Sequence, residues 1–417
     1  MNIEPYLRHM AKVGASDMFF TTGAPPSVKV EGSMQPMSKS ILEPGVIAKI
    51  AAAVMNEEQQ EVFDEECEMN LGISISDLGR FRVNIYMQRG EVSMVIRYIN
   101  SNIPDVESLN LPMVLNDLVM LKTGLILLVG STGSGKSTTL AAMLNYRNHN
   151  AANHILTVED PIEFTYTHAK SIVGQREVGI DTKTYQNALR EAMREAPDVI
   201  LIGEIRDRHT MESALSFADT GHLVLSSLHA VNSNQALDRI INFFPPEARN
   251  HILMDLSMNL RSIISQRLLV DVDGKRVPAV EVLINSAYIS ELIRKGEIAE
   301  IKEVMTKSTD DGVQTFDNAL FELYSEGRID RETALSNADS RTNLEWQMNF
   351  GKSNDAAEDF KAPEINPAEK PKLSKNAAEK KDNDDLIENL TSDESFEEST
   401  DGFLDDLIDF DDSRVEK

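Results

Sequence analysis

"GLILLVGSTGSGKSTTLAAML", Gly124 to Leu144, decides the architecture. Leu125 to Val129 form an unbroken apolar run, the pattern of a strand buried on both faces, and "TTLAAMLNY" continues as a helix. Between them Gly130, Gly135, Lys136 and Ser137 fit G-x-x-x-x-G-K-[ST] in the strand-to-helix setting that the motif requires. The glycines let backbone N–H groups turn inward around phosphates, and the helix N-terminus adds a favourable dipole. Gly130, Ser131, Thr132, Gly133, Ser134, Gly135, Lys136, Ser137 and Thr138 are therefore the candidate nucleotide contacts. Lys136 would neutralise β and γ oxygens and Ser137 would offer its hydroxyl oxygen to magnesium, so ATP and Mg2+ are the expected ligands.

Three more apolar runs follow, "HILTV", "DVILIG" and "HLVLSSL", separated by helical stretches such as "TYQNALREAMREA" and "HTMESALSFADTG". This alternation predicts an α/β domain with a mostly parallel sheet covered on both faces. Residues 1–100 read instead as a smaller α+β domain: a helix near Pro5 to Val13, strands at "DMFF" and "SVKVEG", a helix about Pro44 to Asn56, and a hairpin "GRFRVNIYMQRGEVSMVIRYI" turning at Arg89-Gly90. Residues 101–112 read as a linker and 113–270 as the phosphate-loop core. Residues 271–350 follow as a hairpin and helical region, the hairpin "RLLVDVDGKRVPAVEVLI" turning at Asp273-Gly274. Residues 351–417 are polar and charged, the composition of a disordered tail.

The formal charge of the 417-residue chain is -27, and residues 352–417 carry 21 Asp/Glu against 9 Lys/Arg. Neither part has the basic excess that phosphate neutralisation requires, so nucleic acid is not the expected partner. No apolar run approaches the roughly 20 residues that span a bilayer, and "MNIEPYLRHM" lacks a signal-peptide core, which makes the cytoplasm the expected compartment. The single cysteine, Cys67, excludes an intrachain disulfide and paired CxxC zinc sites. Within the tail, Phe403, Leu404, Leu407 and Ile408 stand at helical spacing among acids, a pattern suited to docking on an unknown partner.

Hydrolysis needs a carboxylate to orient water and donors to receive charge. Glu159, Asp160 and Glu163 in "VEDPIEF", and Glu204 in "LIGEIRD", follow strands whose carboxyl ends border the ligand crevice. With Ser137, Glu159 and Asp160 are the candidate metal ligands; Glu204 is the first choice and Glu163 the second for the catalytic carboxylate, and the residues alone leave both open. The strand ending at Glu204 lacks the usual aspartate, having Gly203 in its place. In "TGHLVLSSLHA", His229 should share the rim with Glu204, whereas His222 falls at the opposite end of its strand. In the hairpin register a two-residue turn sets Arg82 opposite Arg97, an unfavourable pairing unless an anion lies between them, so both are candidates to meet a phosphate.

"GSTGSGKSTTLAAML", "HILTVEDPIEF", "QREVGIDT", "ALREAMREAPDVILIGEIRDRHTMESALSFADTGHLVLSSLHA" and "ALDRIINFFP" together resemble the secretion-type ATPases, in their twitching-motility branch of type IV pilus retraction motors, the PilT/PilU family. "EVLINSAYISELIRKGEI" and "STDDGVQTFDNALFELYSEGRI" are more similar to its PilU side, and Tyr288-Ile289-Ser290 stands where PilT-like proteins have an Ala-Ile-Arg motif. The resemblance spans about residues 1–350. It implies a PAS-like domain before a RecA-like P-loop domain, a homohexamer with nucleotide between the domains, and arginines reaching the phosphates from the first domain. It also implies two partners, a PilT-like retraction ATPase and an inner-membrane pilus platform protein, and a cytoplasmic position at the base of that machine. An assembly or secretion ATPase and a non-hydrolysing nucleotide-binding scaffold are the alternatives.

Overall fold

The computed structural model describes residues 3–30, 32–99, 101–308 and 312–350. The acidic tail expectation, including Phe403 to Ile408, lies outside the described residues.

The first domain runs α1 (Glu4–Lys12), β1 (Asp17–Phe20), β2 (Ser27–Val30), β3 (Ser33–Pro36), α2 (Val46–Val54), α3 (Glu57–Glu66), β4 (Glu68–Ile75), β5 (Gly79–Gln88) and β6 (Glu91–Ile99). Its six strands form one antiparallel sheet in the order β3-β2-β1-β6-β5-β4. Phe81, Val83 and Ile85 of β5 and Met94 and Ile96 of β6 are fully buried against Leu7 and Met10 of α1 and Ile47 and Ile50 of α2. Strand alternation and an amphipathic helix pair thus build this core together. The β5–β6 turn has positive φ at both central residues, Arg89 (55°) and Gly90 (79°), the geometry that matches strand twist. It pairs Gln88 with Glu91, Val83 with Ile96 and Arg82 with Arg97, the register that the alternation predicts.

The second domain contains α4 (Val114–Val119), β7 (Gly124–Val129), α5 (Lys136–Asn150), β8 (His154–Glu159), β9 (Ile172–Glu177), α6 (Tyr185–Ala192), β10 (Val199–Ile202), α7 (Arg208–Asp219), β11 (Leu223–Leu228), α8 (Ser233–Asn242), α9 (Arg249–Asn259), β12 (Leu260–Val270) and β13 (Arg276–Ile284). Its seven-stranded sheet has the order β13-β12-β7-β11-β10-β8-β9, parallel throughout except for β13, which returns antiparallel on β12. Every residue of β7, β10 and β11 is buried, as expected for central strands with helices on both faces. Because β13 completes this sheet, the core strands extend beyond residue 270 to Ile284. Helices α10 (Ala287–Lys295), α11 (Ile301–Lys307), α12 (Phe316–Ser325), α13 (Arg331–Asn337) and α14 (Arg341–Phe350) follow. Phe316 of α12 is fully buried beside Val277 and Ala279 of β13, with the Arg267 guanidinium 3.8 Å above its ring. Among the described residues no helix is long and apolar enough to cross a membrane.

Candidate active site

All six residues of β7 are buried, and the strand delivers the chain to Gly130, where φ is 156°. A Cβ there would lie 2.4 Å from Ser134 Oγ and 2.6 Å from the Gln266 carbonyl oxygen; at Gly135, with φ of 92°, it would lie 2.7 Å from Gln266 Nε2. Glycine is therefore required twice, by backbone conformation and by the close approach of β12. Gln266, 4% exposed, also accepts a hydrogen bond from Thr139 Oγ1 at 2.8 Å, fixing the first turn of α5 beneath the loop. Lys136 opens α5 and donates to the carbonyls of Gly130 and Ser131, both at 2.9 Å. Burial lowers the pKa of its ammonium, and the charge of Glu204 opposes that shift. Ser134 Oγ is buried without a hydrogen-bond partner, an unspent hydroxyl inside a loop of inward-turned amides. An orphan donor, a side-chain-free cradle and the N-terminus of a 15-residue helix together fit a phosphate group.

The loop opens on a cleft of about 630 Å³ that also receives Glu159, Asp160, Glu163, Glu204 and His229, with Tyr98 reaching in from the first domain. Glu159 ends β8, is buried, and accepts from Thr157 Oγ1 at 2.7 Å. Burial pushes its carboxyl up to about 7 from the ordinary 4.5, against that hydrogen bond. The folded-state value is the higher one, so this group stabilises the fold fully below about pH 4.5, and the contribution is lost as pH rises through about 7. Glu159→Gln should remove that slope: relative to the unsubstituted protein its stability should rise from near parity at about pH 4 to a gain of up to about 3 kcal/mol at about pH 8, read by denaturant unfolding. Identical pH profiles would contradict a neutral buried Glu159. Asp160 and Glu163 are exposed; the Glu163 backbone N–H bonds to the Glu159 carboxylate, while its side chain makes no hydrogen bond or ion pair within the described residues.

Four residues of "GEIRD", Gly203, Glu204, Arg206 and Asp207, do separate jobs. A Cβ on Gly203 would lie 3.0 Å from the Tyr185 hydroxyl, 3.2 Å from Glu159 Cα and 3.4 Å from the Val158 carbonyl oxygen. The parallel register of β8 and β10 makes this contact, because Gly203 N–H continues the ladder to Val158 O at 2.8 Å. The absent aspartate thus has a steric cause. Gly203→Asp, which restores the usual acid, is expected to destabilise the domain by about 1–3 kcal/mol and to raise no activity; a variant that melts with the native protein would refute this. Glu204, 15% exposed, is held at both oxygens: Arg206 Nε donates to Oε2 at 2.6 Å and His229 Nε2 meets Oε1 at 2.9 Å. Arg206 Nη1 lies 3.6 Å from Asp160. Asp207 caps α7, accepting from Thr210 N–H at 2.8 Å. His222 sits at the far end of β11, its Nδ1 3.0 Å from the Phe217 carbonyl oxygen.

Arg82 and Arg97 stand opposite each other, and protein carboxylates relieve the repulsion. Arg97 Nε donates to Asp17 Oδ1 at 2.8 Å; this bond first, and the nearby charge of Glu163 more weakly, raise its pKa. Arg82 Nε lies 3.9 Å from Oε1 of Glu177, and Arg80 Nη2 lies 3.5 Å from its Oε2 and 3.6 Å from Asp181. Glu177, at the end of β9 and 2% exposed, therefore joins the two domains through charge. Burial raises its pKa while Arg80 and Arg82 oppose the rise. Sequence reasoning assigned no role to Glu177, Arg80, Arg206, Tyr185 or Gln266. Arg206 and Glu177 fall inside stretches that the resemblance covers, but Glu177 meets Arg80 and Arg82 of β5, and Arg206 reaches Asp160 at the end of β8 as well as its neighbour Glu204.

The type II/IV secretion system protein family matches residues 1–316. The type IV pilus ATPase PilU of Pseudomonas aeruginosa is 49% identical over 357 residues, 85% of this chain and 94% of the relative. The type IV pilus retraction ATPase PilT of the same organism is 39% identical over 338 residues, 81% of this chain and 98% of the relative. Among solved structures, that of the pilus retraction motor PilT with bound ADP superposes with a TM-score of 0.77 at 40% identity, covering 83% of this chain and 99% of the other. The phosphate loop, the acid-lined cleft and these likenesses agree: the chain belongs to the type II/IV secretion system family and, within it, to the PilT/PilU group of ATPases.

Proposed function

We propose that this protein is a subunit of an ATP-hydrolysing homohexamer that powers or assists type IV pilus retraction, as a PilU-like companion of a PilT-like motor acting on a platform protein at the cytoplasmic face of the inner membrane. The observation that carries the reading is the convergence of Lys136 and Ser137 with Glu163, Glu204 and His229 in one cleft that a residue of the first domain, Tyr98, also lines. A ligand held there touches both domains, so binding and hydrolysis change the affinity of one domain for the other, which is what a motor needs.

In this reading Gly130 to Thr138 cradle the phosphates, and Lys136 carries the positive charge against them. Ser137 and Asp160 suit magnesium, which when bound would neutralise charge developing on the phosphate oxygens; Glu159, whose carboxyl burial pushes up to about 7, suits a cation only when the cation offsets that burial. Support for Glu163 as the carboxylate that receives the proton comes from its freedom: it faces the cleft unpaired, whereas both Glu204 oxygens are engaged by Arg206 and His229. Glu204 then orders the rim through His229. Glu163→Gln should lower kcat by about 10²- to 10⁴-fold with nucleotide affinity retained. If that variant turns over normally while Glu204→Gln does not, the roles are reversed.

A further inference from the structure

Arg206 is a cation that no step above employs. It sits in the turn between β10 and α7, 58% exposed, with Nε 2.6 Å from Glu204 and Nη1 3.6 Å from Asp160. We propose that Arg206 is a positioning residue of the hydrolytic site: it fixes the Glu204 carboxylate in one orientation and ties it to Asp160, so that acids at the ends of two neighbouring strands move as one unit. The inference rests on the hydrolysis reading above.

Three observations carry it. The backbone around Arg206 is anchored on both sides, by Ile205 N–H to the Ser227 carbonyl at 2.9 Å and by the Asp207 cap on Thr210 N–H at 2.8 Å, so the guanidinium starts from a fixed point. Its geometry uses the planar fork, since Nε and Nη1 reach carboxylates on different strands, which a lysine ammonium does not span. Charge balance is the third: Glu159, Asp160, Glu163 and Glu204 line the cleft, and Arg206 compensates two of them where an anionic triphosphate must approach. An ion pair this exposed adds little to folding, so its contribution should appear in turnover rather than in stability.

The test uses the full chain with Arg206→Ala and Arg206→Lys. Turnover, melting temperature, and affinities for ADP and for ADP with aluminium fluoride, which mimics the phosphoryl group in flight, are measured. Arg206→Ala should lower kcat about 10- to 100-fold and cut the preference for the fluoride complex over ADP by a similar factor, with melting temperature and ADP affinity unchanged. Arg206→Lys should recover part of both losses. Unchanged turnover and fluoride preference in Arg206→Ala, or losses matched by lower melting temperature and weaker ADP binding, would overturn the assignment alone. An unsubstituted protein that binds the fluoride complex no better than ADP would overturn the hydrolysis reading, and this assignment with it.

Discussion

Lys136→Ala is expected to abolish ATP hydrolysis, lowering turnover by about 10³-fold or more. The side chain is the only cation that lines the cleft from the phosphate loop itself, and it is already drawn inward, donating to Gly130 and Ser131 carbonyl oxygens at 2.9 Å. Its charge is held in a half-buried place, where an electrostatic contact is worth more than in water. Truncation removes both the charge that meets phosphate and the two bonds that tie the lysine across the loop. Because Gly130, Gly135 and Gln266 shape the cradle through backbone and packing, the fold should survive, with a melting temperature within a few degrees of native. A variant that keeps more than a tenth of native turnover would show that the motif does not run the reaction.

Arg82→Ala should also produce a large loss, about 10³-fold in kcat, the lower end of what an arginine delivered from outside the loop supplies. ADP affinity should change far less. Arg82 lies on β5 opposite Arg97, with Nε 3.9 Å from Glu177, longer than a hydrogen bond. Arg97, by contrast, is bonded to Asp17 within its own domain. Arg82 is thus the less firmly engaged of the two; neither arginine is among the residues that line the cleft, so the expected effect requires Arg82 to exchange Glu177 for phosphate. Glu177 Oε2 and Arg80 Nε are buried without hydrogen bonds, so the contact across the seam is incompletely satisfied and inexpensive to exchange for phosphate. Equal losses in turnover and ADP affinity would contradict a role confined to the reacting state.

The parallel core was legible because β7, β8, β10 and β11 are central strands and therefore continuous apolar runs. Strand β9 was not, since it lies at the sheet edge, carries the polar run Gln175-Arg176-Glu177 and leaves Ile172 67% exposed. The hairpin register was legible to the residue, because a two-residue turn and a period of two leave one alignment. The carboxylates beside the two arginines were not: Arg97 pairs with Asp17 of β1 and Arg82 lies near Glu177 of the other domain, and neither partner follows from the hairpin register. Gly203 could be seen as a missing acid, yet its reason lies in Tyr185, Glu159 and Val158, which only the β8–β10 register brings to it. Likewise the pairing of Glu204 with Arg206 and His229 depends on side-chain directions at two strand ends, which no periodicity encodes.

Steady-state hydrolysis by the purified full chain, alone and mixed with a PilT-like motor, with Lys136→Ala as control and mass in solution recorded, tests the central claim most directly. The account predicts magnesium-dependent ATP hydrolysis by a hexamer-sized particle, lost in the control. Tight nucleotide binding with no hydrolysis in either condition would contradict it and leave a nucleotide-binding scaffold in its place.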